Sequence, residues 1–427
     1  MGKPPQGQLA DIAEIVMGQS PEGEACNTVG NGMPLLNGPT EFGGHHPTPV
    51  QYTSDARKLA AKGDILFCVR GSTTGKMNWA DRPYAIGRGL AAIRPKHGLD
   101  TAHYVRAVIE TGLSQLLQAA TGSTFPNVSR EQLLGMPCHV LSVSEQKRIS
   151  GILGALDDKI ELNRKMNEKL EQMAKTLFKS WFIDFDPVHA KAAGRQPAGM
   201  DKTTSDLFPN SFVDSEIGLT PKGWKTGKLG IFMELGLGGA WGEDQPTGKA
   251  DLEVRCLRGI DCHDLAERKL PDVPVRYISK KQLDGRKPKN GCILVEGSGS
   301  FCGRSMVWLT DFERLMGASV CYSNFCKRLD PLCSPSQALV VWMQIRAAND
   351  TGELANYRTG TAFPNFDIQG ALLGLDIICP SKDLCDQFME LYRSWLRLDL
   401  IEESEKLSTL RDTLLPMLLS GNFSTPE

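Results

Sequence analysis

Residues 71–77, GSTTGKM, have the residue types of a phosphate-binding loop. Such a loop needs four residues between its glycines, a lysine that reaches the phosphates and a Ser or Thr that ligates magnesium. Here three residues separate Gly71 from Gly75, and Met77 stands where the magnesium ligand should be. No aspartate-ended apolar strand supplies a second metal ligand. The sequence therefore argues against a nucleotide site at this loop.

Other familiar catalytic patterns are missing as well. The glycines of residues 236–239 and 297–303 do not reproduce a dinucleotide fingerprint, and the seven histidines include no HExxH pair. There is no GxSxG elbow, and the twelve cysteines include no CxxC pair. We interpret the cysteines as reduced, mostly buried thiols of a cytosolic protein. Nothing in the sequence indicates a nuclease or a methyl-transfer centre.

Local clusters of positive charge could contact nucleic acid even though the net charge of the chain is −2. The segment RYISKKQLDGRKPK, residues 276–289, has six basic residues and one acidic residue. Two interpretations have equal weight here, a solvated loop and a phosphate-contacting surface.

The longest predicted element spans residues 142–186. It contains no proline, its apolar residues recur at three- and four-residue steps, and Ser142 with Glu145 forms a capping box at its start. At about 1.5 Å per residue, some forty helical residues extend roughly 60 Å. A helix of this length is typical of a rigid spacer.

The second half of the sequence repeats the first. Residues 121–137 match residues 359–376 around a shared Phe-Pro-Asn, and residues 62–76 match residues 290–304. A second proline-free stretch begins at Ser381, in the repeat position of the N-cap of the first helix. A long period present only twice predicts a duplicated unit of one globule and one helix.

Two long helices with apolar stripes are expected to pair, because each would otherwise expose its stripe. Duplicated units tend to pair about a two-fold axis, which predicts antiparallel helices. Asn163 would then face Glu402, its repeat equivalent, in a polar layer that fixes register, unless both simply face solvent. The residues predicted to pair the helices are Leu156, Ile160, Asn163, Leu170, Leu391, Trp395, Leu398 and Glu402.

The order of these motifs resembles the specificity subunits of type I restriction-modification systems. The resemblance covers nearly the whole chain and rests on GDIL with RGSTTG, IGRGLAAIRP, TG-x-x-FPN before each helix, LFKSWFIDFDPV and LLPMLLSGNF. It implies an α+β fold in which two similar target recognition domains of short strands and helices are separated by two long antiparallel helices that form a coiled coil, with a pseudo-two-fold internal repeat. The predicted boundaries are 1–141 for the first recognition domain, 142–186 for the first spacer helix, 187–220 for a linker, 221–380 for the second recognition domain, 381–420 for the second spacer helix and 421–427 for a tail.

The resemblance also implies a function. In that family the specificity subunit has no catalytic activity, each recognition domain reads one half of a bipartite asymmetric site in double-stranded DNA, and the helices set the spacer length. Two modification subunits with methyltransferase chemistry and S-adenosylmethionine dock on it, and restriction subunits with ATP and Mg join the larger complex. This chain would then bind no cofactor itself and would be cytoplasmic, without a membrane.

Specificity requires side chains in the grooves of DNA, and affinity comes from phosphate contacts. In the first domain the predicted DNA-binding residues are Arg70, Ser72, Thr74, Lys76, Arg82, Arg88, Thr121 and Ser123. In the second they are Arg276, Lys280, Lys281, Arg286, Lys287, Lys289, Ser298, Ser300, Arg304, Arg358, Thr359 and Thr361. The Phe and Pro residues at 125–126 and 363–364 are favoured as structural bends. A scaffold that spaces two interaction domains without binding DNA is the alternative from another class.

Overall fold

The computed structural model describes residues 5–120 and 126–420. The chain forms two compact units, the first of residues 1–162 with 406–427 and the second of residues 163–405. Within the described ranges, no helix is long and apolar enough to cross a membrane.

The first unit is a mixture of short strands and helices. Its strands are β1 (Gln6–Gln8), β2 (Ala13–Met17), β3 (Cys26–Asn27), β4 (Met33–Leu36), β5 (Gln51–Thr53), β6 (Leu59–Ala60), β7 (Ile65–Cys68), β8 (Met77–Trp79), β9 (Tyr84–Ile86), β10 (Leu90–Pro95) and β11 (Pro137–His139). Before the first long helix, its helices are α1 (Leu9–Ile12), α2 (Ala102–Gln118) and α3 (Arg130–Leu134).

Strands β7 and β10 are apolar on both faces, because each face packs on a different core. Ile65 and Phe67 lie in a cluster with the helices, whereas Leu66 and Cys68 lie in a second cluster with Leu36 and its neighbours. Successive side chains of a strand point to opposite faces, so this alternation places a sheet between two layers. The sheet order is β2-β10-β7-β8, and the second sheet has the order β3-β5-β4-β9-β6.

The first long helix, α4 (Val143–Phe182), links the two units in sequence. Ser142 Oγ accepts a hydrogen bond from the Glu145 amide at 3.3 Å, and Glu145 accepts one from the Ser142 amide at 3.1 Å, so the predicted capping box is confirmed. The helix ends four residues before the predicted Asp186. Phe185 adopts a left-handed φ of 54°, which stops the helix and starts a new one.

The second unit begins with the C-terminal part of α4. Its further helices are α5 (Asp186–Ala192), α6 (Lys202–Asp206), α7 (Gly259–Ala266), α8 (Lys280–Arg286), α9 (Asp311–Met316), α10 (Pro335–Asp350), α11 (Ile368–Gly374), α12 (Lys382–Trp395) and α13 (Leu398–Leu419), which continues into the first unit. Its strands are β12 (Phe212–Ser215), β13 (Gly218–Pro221), β14 (Lys225–Lys228), β15 (Met233–Leu235), β16 (Leu252–Leu257), β17 (Val275–Ile278), β18 (Ile293–Glu296), β19 (Ser305–Val307), β20 (Val320–Tyr322), β21 (Cys326–Pro331), β22 (Arg358–Thr359), β23 (Asn365–Phe366) and β24 (Asp376–Cys379).

The sheet topology confirms the internal repeat. The order β15-β21-β18-β19 in the second unit reproduces β2-β10-β7-β8 in the first, and the pair β14–β24 reproduces β1–β11. Each unit also contains one parallel pair in its other sheet, β4 with β9 and β16 with β20. The two globules therefore share one architecture.

Two predicted segments differ from the structure. Residues 187–220, predicted as a linker, contain α5, α6 and the hairpin β12–β13, because Val188 and Phe208 are buried and the Phe208 ring packs edge-on to Trp181 at 5.2 Å. The second spacer helix, predicted as one piece over 381–420, is α12 followed by α13. The break falls at Leu396 and Arg397, where the Leu396 side chain is buried in the core of the second unit.

The long helices are antiparallel, as predicted. In the second unit the Phe388 ring of α12 lies 5.1 Å from Phe182, near the end of α4, and Asn163 of α4 donates to Glu403 of α13 at 2.8 Å. In the first unit, Arg411 of α13 donates to Asp157 of α4 at 2.9 Å. Positions therefore descend along one helix as they ascend along the other.

The predicted partner of Asn163 is wrong by one residue. Asn163 is buried and donates to Glu403 and to Ser404, whereas Glu402 pairs with Arg314 at 3.2 Å. The interruption before Leu398 changes the phase of α13, which a continuous repeat cannot anticipate. Of the remaining residues predicted to pair the helices, Leu398 is buried, and Leu156, Ile160, Leu170, Leu391 and Trp395 are half-buried.

A buried network of charges fixes α4 in the second unit. Glu171 of α4 pairs with Arg268 at 2.8 Å and contacts Arg346 of α10, which also contacts Glu267. Burial would raise the pKa of Glu267, but the charges of Arg346 and Lys175 hold that pKa below its ordinary value. Buried charges are tolerated only when each has a partner, so this network admits one position of α4.

We predict that Glu171→Gln lowers the free energy of unfolding by roughly 3–5 kcal/mol, because two buried guanidinium groups lose their shared carboxylate. Denaturant unfolding of the purified chain measures the loss. Glu168→Gln is the matched control on the same helix, since Glu168 belongs to a partly exposed pair with Arg164 and should cost no more than about 0.5 kcal/mol. Equal losses for both variants would contradict the network's role.

Candidate nucleic-acid interface

Each unit carries a glycine-rich turn at one end of its four-stranded sheet. We call residues 70–76, between β7 and β8, loop 1, and residues 298–304, between β18 and β19, loop 2. Gly71 and Gly75 have φ of 92° and 93°, and their equivalents Gly299 and Gly303 have 111° and 94°. Residues with side chains rarely adopt such values, so the glycines shape the turn.

The backbone of the two loops is hydrogen-bonded in the same way. The amide of Gly75 donates to the carbonyl of Cys68 at 2.8 Å, and the amide of Gly303 donates to that of Glu296 at 2.8 Å. In return, the amides of Cys68 and Glu296 in the strands donate to the loop carbonyls of Lys76 and Arg304. The two loops thus share one backbone conformation and hydrogen-bond pattern, which we call the loop frame, as the alignment of 62–76 with 290–304 predicts.

The Phe-Pro-Asn segments close each frame. Asn127 forms an isolated antiparallel bridge with Arg70, and Asn365 forms the equivalent bridge with Ser298. The next residue donates in both cases, Val128 to the Val69 carbonyl at 3.0 Å and Phe366 to the Gly297 carbonyl at 2.9 Å. A structural role for Pro126 and Pro364 is consistent with these contacts, whereas Phe125 lies outside the described residues.

Thr74, predicted to contact DNA, has a structural role instead. It is half-buried, and its hydroxyl lies 2.8 Å from the Gly71 carbonyl and 2.9 Å from the Pro126 carbonyl. The hydroxyl proton is used inside the frame, so Thr74 has none to donate to a phosphate.

The other candidates of the first unit lie at the surface. Arg70, Ser72, Lys76 and Arg88 are exposed, while Arg82 is exposed but lies over the Tyr84 ring, 5.6 Å from its centroid. Thr121 and Ser123 lie outside the described residues. Loop 1 therefore presents two cations and one hydroxyl to solvent.

Arg276 is the clearest error in the predicted DNA-binding set. It is buried, donates to the carbonyls of Trp241 at 3.1 Å and Gly242 at 2.9 Å, pairs with Asp244 and lies 4.7 Å from the centre of the Trp241 ring. Its donors are directed into the protein. A charge run in sequence does not distinguish a buried arginine in a strand from an exposed one in a helix.

The other basic residues of the run lie on helix α8 or directly after it. Arg286 donates to the Gly238 carbonyl at 2.9 Å, and Lys287 lies 3.4 Å from Glu313. Lys280, Lys281 and Lys289 are exposed. The run therefore covers part of strand β17, helix α8 and the residues after it, with Lys280, Lys281 and Lys289 exposed to solvent.

The remaining candidates of the second unit lie on loop 2 and on the hairpin β22–β23. Ser300, Thr359 and Thr361 are exposed, as is Arg358, which donates to the Asn349 side chain at 3.1 Å. Ser298 and Arg304 are half-buried, and the guanidinium carbon of Arg304 lies 3.7 Å from the centre of the Phe301 ring.

Sequence reasoning missed the exposed aromatic residues Phe301 and Phe325 around loop 2 and assigned Phe363 only to a structural bend. Phe301, Phe325 and Phe363 are 55%, 61% and 84% exposed. Their segments are bonded to one another, since Gly297 donates to the Phe325 carbonyl at 2.8 Å and Gly299 to the Pro364 carbonyl at 2.9 Å. The alignment of the two loops contained a signal for this aromatic surface, because Phe301 occupies the position of Thr73 in loop 1. Among residues 5–120 and 126–420, no group of three or more His, Cys, Asp or Glu could hold a metal ion.

Comparisons with known proteins agree with this architecture. The family model described as "Type I restriction modification DNA specificity domain" matches residues 6–172. The chain is 24% identical to the type I restriction enzyme HindI specificity subunit of Haemophilus influenzae, over 86% of this chain and 88% of that protein. It is 35% identical to the putative type I restriction enzyme MjaX specificity subunit of Methanocaldococcus jannaschii, over 38% of each chain.

A solved structure shares the fold. The crystal structure of the type I restriction-modification system S subunit from M. genitalium superposes with a TM-score of 0.54 at 15% identity, over 97% of this chain and 96% of that chain. The chain thus has two globules of one architecture and paired long helices. Residues 6–172 match the type I restriction modification DNA specificity domain, and the chain is similar over most of its length to a type I specificity subunit. This similarity favours DNA recognition over a scaffold without DNA.

We predict that Arg276→Ala lowers the free energy of unfolding by roughly 1–3 kcal/mol, because it removes a buried side chain together with its hydrogen bonds to the Trp241 and Gly242 carbonyls and its contact with the Trp241 ring. Lys281→Ala, from the same basic run, should leave stability within about 0.5 kcal/mol. Denaturant unfolding of both variants measures the difference. A stable Arg276→Ala protein whose only defect is DNA binding would restore the original interpretation.

Proposed function

We propose that each globule of this chain reads one half of a bipartite asymmetric site in double-stranded DNA. The observation that carries the proposal is the pair of loops with one backbone frame and different side chains. Arg70, Ser72 and Lys76 in loop 1 stand where Ser298, Ser300 and Arg304 stand in loop 2. The same surface geometry with different donors suits two readers of different sequences.

Exposed cations of the two units supply phosphate contacts in this proposal. Arg88 serves the first unit, and Lys280, Lys281 and Lys289 serve the second. Such contacts position the protein on DNA but carry no sequence information. Because the chain is close to neutral overall, we expect weak, salt-sensitive DNA binding by the isolated chain and strong specific binding in the complex.

The proposed role is recognition without catalysis, inside a complex in the cytoplasm. Two modification subunits would dock on the long helices and carry the methyltransferase chemistry with S-adenosylmethionine, and restriction subunits would bring ATP and Mg. This chain would bind no cofactor, and the paired helices would set the length of the unread spacer.

The outward face of α4 supports docking on the helices. Met166 and Met173 are 45% and 49% exposed, although their neighbours Asn167 and Glu171 are buried. The middle of the helix therefore has polar residues inside and apolar residues outside. An exposed apolar stripe of this kind marks a protein-binding surface, and flexible methionine suits it.

Exchange of one recognition domain tests the two-reader proposal. Residues 1–141 are replaced by the matching part of a related specificity subunit, and the methylated sites of cells that express the hybrid complex are sequenced. We expect one half-site to change, while the other half-site and the spacer length stay the same. A change in both half-sites would contradict independent readers.

Substitution on α4 tests docking. We expect Met173→Glu to weaken co-purification with the modification subunit at least tenfold, because a charge would be buried at the contact, where it costs several kcal/mol. Gln172→Glu, on the neighbouring exposed position, is the control for added charge. Unfolding midpoints close to wild type in both variants exclude misfolding, and equal co-purification would refute docking on this face.

A further inference from the structure

Arg304 differs from the other candidate arginines of the second unit. The guanidinium group stacks on the Phe301 ring, and its central carbon lies 3.7 Å from the ring centre. Stacking on an aromatic face holds the planar group in one orientation while its N–H donors stay available at the edge. Phe301 itself stands at the tip of loop 2 and is exposed.

The donors of Arg304 are unused within the protein. Among the described residues its side chain makes no hydrogen bond or ion pair, whereas Arg276, Arg286 and Arg358 each donate to a protein oxygen. The nearby Glu296 does not compete as an ion-pair partner within 4.0 Å, and its burial raises its pKa. The N–H donors at the edge of the guanidinium group are therefore held in one orientation and have no acceptor among the described residues.

The equivalent position in loop 1 lacks this arrangement. Lys76 replaces Arg304, and Thr73 replaces Phe301, so loop 1 has a flexible ammonium group and no ring to hold it. A lysine acts as a point charge, whereas an arginine presents a planar pair of donors. The frames are the same, so the difference lies in the side chains alone.

We propose that Arg304, held on Phe301, reads a guanine in the major groove of the half-site bound by the second unit. This inference rests on the proposed function and assigns one base to one residue. The guanine edge offers O6 and N7 as paired acceptors, which match two parallel N–H donors of a guanidinium group. Phe301 acts as a positioning residue that fixes the plane of those donors.

A phosphate contact would not need such a platform. Phosphate accepts hydrogen bonds from many directions, and a mobile lysine or arginine serves it well. A base edge accepts them in one plane only. The fixed plane of Arg304 is therefore an argument for base reading.

The test uses the full chain in complex with its modification subunits and a double-stranded DNA library with randomised half-sites. Bound sequences are selected and counted for wild type, Arg304→Lys and Phe301→Leu. We expect both variants to lose discrimination at one and the same G·C pair of the second half-site, by roughly tenfold for Arg304→Lys, with every other position unchanged. Arg314→Lys, an exposed arginine of the same unit, is the control and should leave the selected sequences unchanged.

Three results would overturn the assignment. A uniform loss of affinity for all sequences, with the slope of affinity against salt reduced by about one ion, would make Arg304 a phosphate contact. Unchanged selection by Arg304→Lys would remove it from recognition, and loss at different positions for the two variants would separate Phe301 from Arg304.

Failure of the proposed function gives a different result. In that case the wild-type complex selects no sequence at all, or replacement of residues 1–141 alters both half-sites. A wild-type complex that selects a bipartite site, with Arg304→Lys indistinguishable from it, refutes the guanine assignment alone.

Discussion

The pairing of the buried polar residues along α4 is the constraint on which the long helices depend. Apolar side chains tolerate sliding by a turn, because one apolar neighbour replaces another, but a buried carboxylate or amide requires a particular partner. Asn163 meets Glu403, and Glu171 meets two arginines of the second unit. In the first unit Asp157 meets His103 at 3.2 Å and Arg411 at 2.9 Å. Each contact specifies the register of the helix inside its own unit.

Asp157 also shows how pH acts on this constraint. Burial would raise its pKa, but hydrogen bonds from His103 and Arg411 outweigh burial and hold the pKa below its ordinary value. A carboxyl group with a lowered pKa contributes stability above the pKa of the unfolded chain and loses it as the pH falls through the folded value. The helix contact in the first unit is thus strongest at neutral pH and weakens in acid.

The repeat could be predicted from sequence because the loop frame depends on a few glycines and a Phe-Pro-Asn whose spacing is visible in both halves. What sequence could not supply was the partner of each polar side chain. Arg276 and Lys281 stand five residues apart in one basic run, yet one is buried in a strand and the other exposed on a helix. The break at Leu396 was hidden for the same reason, since a buried leucine has no local signature that separates a helix interior from a turn. Thr74 was misassigned because a hydroxyl can serve a backbone carbonyl or a phosphate equally well.

A frame built from backbone hydrogen bonds leaves its side chains free to change. The bonds from Gly75 and Gly303 to the preceding strand involve no side chain, so Thr73 and Phe301 can occupy the same position without disturbing the turn. A recognition loop with this property can acquire a new base preference by substitution at its tip, at little cost in stability. Side chains of the long helices are not free to change in this way, because each buried charge there depends on a second residue distant in sequence. Substitutions should therefore be easily accepted at the tips of the loops, whereas on α4 a change at a buried charge requires a matching change in its partner.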